Sequence, residues 1–412
     1  MDYDVVIIGA GPAGLCLAKA FADQSLKVAV VERQPADAIA EPAFDGREIA
    51  LTHASVRLLT RLGVWRHIAG EEVSALRHAQ VMTGDSPAQL RIDSSLTDKP
   101  QLGYLVPNHL IRRAAWQALQ EANDVTLHTE ARVAAVSTDE REACVTLHDG
   151  TLLHGALLVA ADSRFSQTRR AMGIGAEQQD FGKHMLVCRM SHEAEHGQVA
   201  WEWFGHGQTL ALLPLREHLA SVVLTVTEPE AQRLHALDEA AFAQEMRERF
   251  GGRLGAMRLE STRHLYPLIG VYARRFVGRR FALAGDAAVG MHPVTAHGFN
   301  LGLASVERLA DMTATARAEG LDLAAPSLLA RYERRHRAGT LPLYLATRAI
   351  VGVFTDDRPL MRHARQAGLA LVARLRPFRR AVAATLADEG PVDASWTQRL
   401  RKGLAHLRPG SG

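Results

Sequence analysis

The amino-acid sequence predicts an α/β protein, a parallel-sheet unit interrupted by a smaller β-sheet domain and followed by a helical C-terminus. Three observations carry this. Apolar runs at Val5–Ile8 and Lys27–Val31 flank a glycine-rich turn and a helical segment, and their lack of polar alternation marks strands buried on both faces. Two further runs of the same kind, Leu157–Ala161 and Phe281–Ala284, return much later in the chain. Between them lie stretches with a period of two, whereas from Leu301 onward the period is helical.

The elements follow in order. Val5–Ile8, a helix over Pro12–Asp23 and Lys27–Val31 make a βαβ unit with parallel strands. Ala79–Ile92 alternates around a Gly-Asp-Ser-Pro turn, as a hairpin does. A helix starts near Asn108, and strands follow around Val125, Val133 and Val145. The strand Leu157–Ala161 ends on Asp162, and the alternating stretch from about Phe181 to Val226 forms a second sheet. These assignments give a discontinuous first domain over 1–75, 98–178 and 264–330, a sheet domain over 76–97 and 179–263, and a helical region over 331–412.

With 412 residues, 47% of them hydrophobic, the chain can bury a large core, and a net charge of +3 gives no reason to expect nucleic acid. Cys16, Cys144 and Cys188 are scattered, with no CxxC pair and no histidines at ligand spacing, which points to a reducing cytoplasm and no structural metal. The first apolar run follows Met1 without a basic leader, and no segment reaches the roughly 20 apolar residues of a spanning helix.

Gly9, Gly11, Pro12, Ala13 and Gly14 join the first strand to the first helix. In a G-x-G-x-x-G turn the first glycine permits the tight bend, the second lets backbone approach a pyrophosphate, and the third lets helix pack on strand. The free N–H groups of the helix start favour the anion. Glu32 closes the second strand, with Arg33 beside it, where a carboxylate accepts bonds from ribose hydroxyls. This defines a dinucleotide site without separating FAD from NAD.

Two later segments decide between them. In LLVAADSRFSQTRRAMG a strand delivers Asp162, followed by Ser166 and Arg169. In RRFALAGDAAVGMHPVTAHGFNLGLASVERLA a strand delivers Gly285 and Asp286, followed by Pro293, Gly298, Phe299, Asn300 and Gly302 at a helix start. An acid at a strand's carboxyl end suits ribityl or ribose hydroxyls, and a glycine-flanked helix start suits backbone contact with a flavin ring. Either segment alone is equally a plain strand-to-helix loop. All three in this order resemble the motifs of the class A flavoprotein monooxygenases, over essentially the whole chain. Within that family DGREIALTHASVRLLTRLGVW, LGYLVPNHLIRRAAWQAL and YPLIGVYARRFVGRRFALAGDAA look like the ubiquinone-biosynthesis ring hydroxylases, as does the tail TRAIVGVFTDDRPLMRHARQAGLALVARLRP. ADSRFS and GDAAVGMHPVTAHGFNLGL look most like the UbiM subgroup, which hydroxylates the demethoxyubiquinol ring.

The resemblance implies a Rossmann-like FAD-binding domain of the glutathione-reductase and p-hydroxybenzoate-hydroxylase type, with a β-sheet substrate domain. It implies a ring hydroxylase that inserts one atom of O2 through a flavin C4a-hydroperoxide, with NADPH or NADH as donor and no metal. It also implies Asp286 on the FAD ribityl or ribose, Asp162 near FAD and the nicotinamide nucleotide, and Arg47 against the FAD phosphate and adenosine region. Val133 joins the cofactor-binding set, and Asn108 lies beside the flavin or is simply an N-cap. The carbonyl of Pro293 and the Val294–Gly298 loop form the reacting edge. The pattern departs from the family at three places. Asp162-Ser163 replaces Asp-Gly, putting a side chain where unusual torsions are expected, Val289 replaces a histidine, and Ala296-His297-Gly298 replaces Gly-Gln-Gly.

His297 titrates near neutrality when unperturbed and is a candidate base, or else a packing residue. Trp201, Trp203, Leu213 and Val223 are candidates for the wall of a substrate pocket, or else core. A single G-x-G-x-x-G leaves no separate nicotinamide domain. From Arg358 to Arg380 the chain is basic without an acid and interleaves Leu360, Leu369, Leu371, Val372, Leu375 and Phe378. Such a helix either meets anionic lipid at the inner membrane face, contacts a quinone-biosynthesis complex, or packs on its own core. A quinol or phenol and O2 are the expected substrates. The competing functions are a hydroxylase of soluble phenols, a prenyl-chain reductase and a non-catalytic FAD-binding subunit.

Overall fold

The computed structural model describes residues 2–84, 86–87, 89–205, 207–293, 297–355 and 359–387. From the N-terminus come β1 (Tyr3–Ile8), α1 (Pro12–Ala22), β2 (Val28–Val31), α2 (Ala36–Ala40), β3 (Glu48–Leu51), α3 (His53–Arg61) and β4 (Ser74–Leu76). The hairpin β5 (His78–Thr83) and β6 (Gln89–Asp93) follows, then β7 (Gly103–Pro107), α4 (Asn108–Gln120), β8 (Val125–His128), β9 (Val133–Thr138), β10 (Ala143–Leu147) and β11 (Leu152–Ala160). After the short α5 (Gln167–Ala171) come β12 (Ala176–His192), β13 (Val199–Gly205), β14 (Gln208–Arg216), β15 (Leu219–Val226), α6 (Glu228–Ala236), α7 (Glu239–Arg249), β16 (Met257–Leu259) and β17 (His264–Ala273). The chain continues through β18 (Val277–Gly278), β19 (Phe281–Leu283) and β20 (Val289–Gly290) into α8 (Gly298–Ala318), α9 (Pro326–Thr355), α10 (Pro359–Arg374) and α11 (Arg376–Ala387).

The apolar runs lie side by side in one sheet of order β18-β19-β11-β1-β2-β8, with β1, β2, β8, β11 and β19 parallel. Residues of α1, α4 and α8 and of the antiparallel strands β9 and β10 share one core with these strands, whose side chains are almost all buried, which is why the strands carry no polar alternation. The second sheet has the order β20-β17-β12-β15-β14-β13-β5-β6. It extends further along the chain than its alternation indicates: β17 pairs antiparallel with β12 and carries the sheet to Ala273, past the expected end at 263.

Register sorts this sheet into two faces. Trp201 pairs with Leu212, which pairs with Val222 and then Cys188, and these pack against α6 and α7. Val81, Glu202, Ala211, Val223, Val187 and His264 form a row on the opposite, inner face. Gly46 sits against Val187 and His264 there, so the inner face meets the loop before β3. Helices α10 and α11 pack on β6 beside it, placing Leu369, Val372 and Ala383 among Leu76, Leu90, Ile92 and Leu105. Leu371, Leu375 and Phe378 point outward, and the side chain of Leu360 and all of Arg358 lie outside the described residues.

Candidate active site

The fingerprint glycines are required for two different reasons. Gly9 has φ +107°, and a Cβ there would stand 2.6 Å from the Ala161 carbonyl oxygen. A Cβ on Gly14 would stand 1.9 Å from the Gly9 oxygen. Those two are demanded by the protein's own backbone. Gly11 meets nothing within 4 Å, so its missing side chain leaves room for a ligand at the start of α1. Glu32 anchors the far side: its carboxylate accepts from the Ala10 N–H at 2.8 Å and the Gln34 N–H at 3.0 Å. Arg112, which sequence patterns did not single out, reaches from α4 to the Gln34 side chain at 2.5 Å and the Ala10 carbonyl at 3.3 Å. Its signal was the spacing of four residues from Asn108 on the same helix face. Arg33 is exposed, while Val133 begins β9 just after Glu130 and Ala131 pair their backbone with Gln34 and Glu32.

Asp162 organises the local architecture of its loop. Its oxygens accept from the Ser166 hydroxyl at 2.5 Å and from Thr168 N–H and hydroxyl at 3.2 and 3.0 Å, and Ser166 then caps α5 through the Arg169 N–H. Arg169, 1% exposed, donates to the carbonyls of Ala287 at 2.8 Å and Arg164 at 3.2 Å, joining this loop to the one after β19. Arg164 adds a second link, donating to Asp286 and to the Ile269 carbonyl, each at 3.0 Å. Gly285, φ +58°, gives its N–H to Ser305 at 2.9 Å, and a Cβ on it would lie 3.2 Å from that of Ala13. Gly302 packs against Gly285, so the N-terminal ends of α1 and α8 converge, both presenting free N–H groups to one region.

Asn300 is a clamp. Its carbonyl accepts from the Thr52 N–H at 3.0 Å and the Ser55 hydroxyl at 2.7 Å, and its amide donates to the Ala50 carbonyl at 2.8 Å. Phe299 packs on the core, and Gly298 opens α8. His297 is buried, its Nε2 lying 3.4 Å from the Thr385 carbonyl of α11. Pro293 is exposed, and residues 294–296 of the expected reacting loop lie outside the described residues. Burial, helped by the charge of Arg164, lowers the His292 pKa to about 4.

Asp45, Arg47, Asn108 and Tyr266 form a cluster between β17 of the second sheet and a third, three-stranded sheet of order β3-β7-β4. Arg47 grips Asp45 at 2.6 Å, the Asn108 amide donates to the same oxygen at 2.7 Å, and Tyr266 donates to the Asp45 carbonyl at 2.8 Å. Burial disfavours the Asp45 charge, but the guanidinium and these hydrogen bonds outweigh it and hold the carboxyl below its usual range. Asn108 is therefore no N-cap: Pro107 occupies that position, and the amide points at Asp45.

The tryptophans require a correction. Trp201 and Trp203 face α6 and α7, with Trp201 against Phe250 and Arg253 over the ring of Trp203 at 4.5 Å. Period-two alternation puts both on the outer face and turns Glu202, between them, inward. Leu213 and Val223 do lie on the inner face.

A family described as the FAD binding domain matches residues 2–340. The ubiquinone hydroxylase UbiM of Neisseria meningitidis is 44% identical over 87% of this chain and 78% of its own length. UbiL of Rhodospirillum rubrum, also a ubiquinone hydroxylase, is 36% identical over 92% and 87%. The chain belongs to this FAD-binding monooxygenase family. In fold it is similar to p-nitrophenol 4-monooxygenase PnpA from Pseudomonas putida, with TM-score 0.75 and 19% identity over 94% of this chain and 99% of that one.

In this monooxygenase the residues present fit FAD. The open space at Gly11, the Glu32 carboxylate at the end of β2, and the meeting of α1 and α8 at Gly285 suit a pyrophosphate, a ribose and a ring edge respectively. Ser163, at the departure from Asp-Gly, has φ +91°, a region that L side chains occupy at a cost. Ser163→Gly is expected to stabilise the fold by about 0.5–1 kcal/mol, the relief of strain exceeding glycine's entropy in the unfolded chain. A rise in urea midpoint at constant m-value checks it.

Proposed function

We propose that this monooxygenase hydroxylates the ring of a ubiquinol-type phenol, with O2 as oxygen source and NADH or NADPH as electron donor. FAD, when bound, supplies the reduction of dioxygen and the delivery of one of its atoms. The chain's part is to bind, orient and exclude water. Gly11, Glu32 and the α1 N-terminus hold the dinucleotide, the Asp45–Arg47–Asn108–Tyr266 cluster fixes the seam between the sheets, and the Arg164–Asp286 link sets the loop after β19.

The observation that carries the substrate reading is the character of the inner face. Leu213, Ala211, Val223 and Tyr266 line it, while the lysine and arginine of β12 are engaged, Lys183 by the Gly207 carbonyl and Arg189 by Glu48 at 2.8 Å. Such a face favours a neutral ring with an apolar tail over a phenolic acid, which needs a cation. The test is quinone profiling by mass spectrometry in bacterial hosts that each lack one ring hydroxylase. Restored ubiquinone in one host is expected, and that host identifies the ring position. If every host keeps its intermediate while the protein is FAD-loaded, the quinone reading fails.

The outer side of the C-terminal helices supports access from a membrane. No helix among the described residues is long and apolar enough to cross one. Leu371, Leu375 and Phe378 are 60%, 45% and 40% exposed, with Arg374, Arg376 and Arg380 around them, an arrangement suited to the surface of anionic lipid. Replacing the three apolar residues by glutamate is expected to weaken sedimentation with phosphatidylglycerol vesicles at least about tenfold. FAD content should be unchanged. Equal sedimentation of variant and wild type removes the lipid contact and leaves the patch to a protein partner.

A further inference from the structure

Glu202 is an acid in the middle of an apolar row. Its strand neighbours on the inner face are Val81 and Ala211, and Val223 and Val187 continue the row across the sheet. The apolar cluster under α10 and α11, which includes Leu213 and Val81, does not join the one formed by Met185, Val187, Leu268, Val223 and Tyr266. Glu202 and Ala211 lie in the gap. Glu202 keeps some accessible surface although protein surrounds it deeply. Among the described residues its carboxyl has no hydrogen-bond or ionic partner, and burial raises its pKa to about 8.

The same row ends at Val187, on which Gly46 rests, beside Asp45 and Arg47. Three interstrand spacings separate Glu202 from Val187, about 14 Å, enough for one substituted aromatic ring between the carboxyl and the cofactor cluster. An unpartnered buried carboxyl costs stability, and a valine or alanine as in the rest of the row avoids that cost. Among the described residues the side chain has no such compensation, which a bound polar group would supply.

We propose that Glu202 binds the ring hydroxyl of the substrate and accepts its proton during hydroxylation. The inference rests on the ring-hydroxylase reading above. The phenolic O–H bond breaks and its proton moves to the carboxylate, while the electron pair passes into the ring and forms the new C–O bond with the incoming oxygen atom. The attacked carbon then loses its hydrogen as a proton and the ring oxygen regains one, restoring aromaticity. The proton held by Glu202 goes, through solvent, to the other atom of dioxygen, which leaves as water, and the electrons are those that NADH or NADPH has given the flavin.

The test compares FAD-loaded wild type with Glu202→Gln, Glu202→Leu and Glu202→Asp. The probes are a demethoxyubiquinol carrying one prenyl unit and its methyl ether, in which the ring hydroxyl is blocked. Binding is read from the flavin absorbance change without reductant, and coupling from product formed per reductant consumed. Glu202→Gln is expected to keep its FAD and melt no lower than wild type, to bind the phenol at least about tenfold more weakly, and to divert most reducing equivalents to hydrogen peroxide. The methyl ether should bind wild type and Glu202→Gln alike, and Glu202→Asp should recover part of the coupling. Glutamine and leucine variants that bind and couple like wild type overturn the assignment. A wild type that hydroxylates no such quinol overturns the function reading instead, and the inference with it.

Discussion

Gly11→Val yields a folded protein that does not retain FAD. Nothing of the protein lies within 4 Å of the position its Cβ takes, so the substitution meets no resistance from the fold. A branched side chain there fills the approach of the pyrophosphate to the α1 N-terminus, and FAD affinity is expected to fall at least about a hundredfold. The control is Gly14→Ala, smaller yet more damaging, because its methyl group would stand 1.9 Å from the Gly9 oxygen and force α1 away from β1. It is expected to leave little soluble protein. Flavin-to-protein absorbance ratio and circular dichroism measure the two losses separately. A Gly11→Val protein with normal flavin content would falsify the placement of the cofactor on this turn.

The second large effect is expected at Arg169. Arg169→Ala removes a side chain that is almost completely buried and leaves the carbonyls of Ala287 and Arg164 without their donor. Two unsatisfied carbonyls and a cavity together cost about 3–5 kcal/mol, a large part of the stability of an ordinary domain. The same loss loosens the loop pair through which Arg164 holds Asp286. Denaturant midpoint and flavin retention should therefore fall together. Arg169→Met, which fills the volume but supplies no donor, should lie between wild type and the alanine variant, separating the cavity from the lost hydrogen bonds.

The parallel strands and the fingerprint glycines were legible because they rest on local rules: apolar runs, a helix start, a fixed spacing. The three glycines even divide as their roles require, Gly9 and Gly14 against backbone and Gly11 against open space. What sequence did not disclose depends on partners far away in the chain. Asn300 reads as a site residue by position, yet its amide is taken by Ala50, Thr52 and Ser55, some 250 residues earlier. Asp162, an acid at a strand end, also organises α5 through Ser166 and Thr168, a role that the local pattern does not show. Trp201 and Trp203 are large aromatics and so candidates for a pocket wall, whereas strand parity gives the inner face to Glu202 between them. The end of the second sheet was missed at β17 because its pairing with β12, nearly ninety residues away in the chain, leaves no local mark.

The strand order of the first sheet has a consequence in time. β1 lies between β2, made almost at once, and β11, whose own far neighbour β19 begins at Phe281. At roughly 5–20 residues per second of synthesis, about 15–55 seconds separate the emergence of β1 from that of β19. β11 is complete at Ala160, so its far edge is open through the later part of that interval, and throughout it Gly285 and α8 are not yet available to meet α1. FAD therefore joins a nearly finished chain, and a ribosome that pauses before Leu283 holds out an unpaired hydrophobic strand to whatever else is in solution.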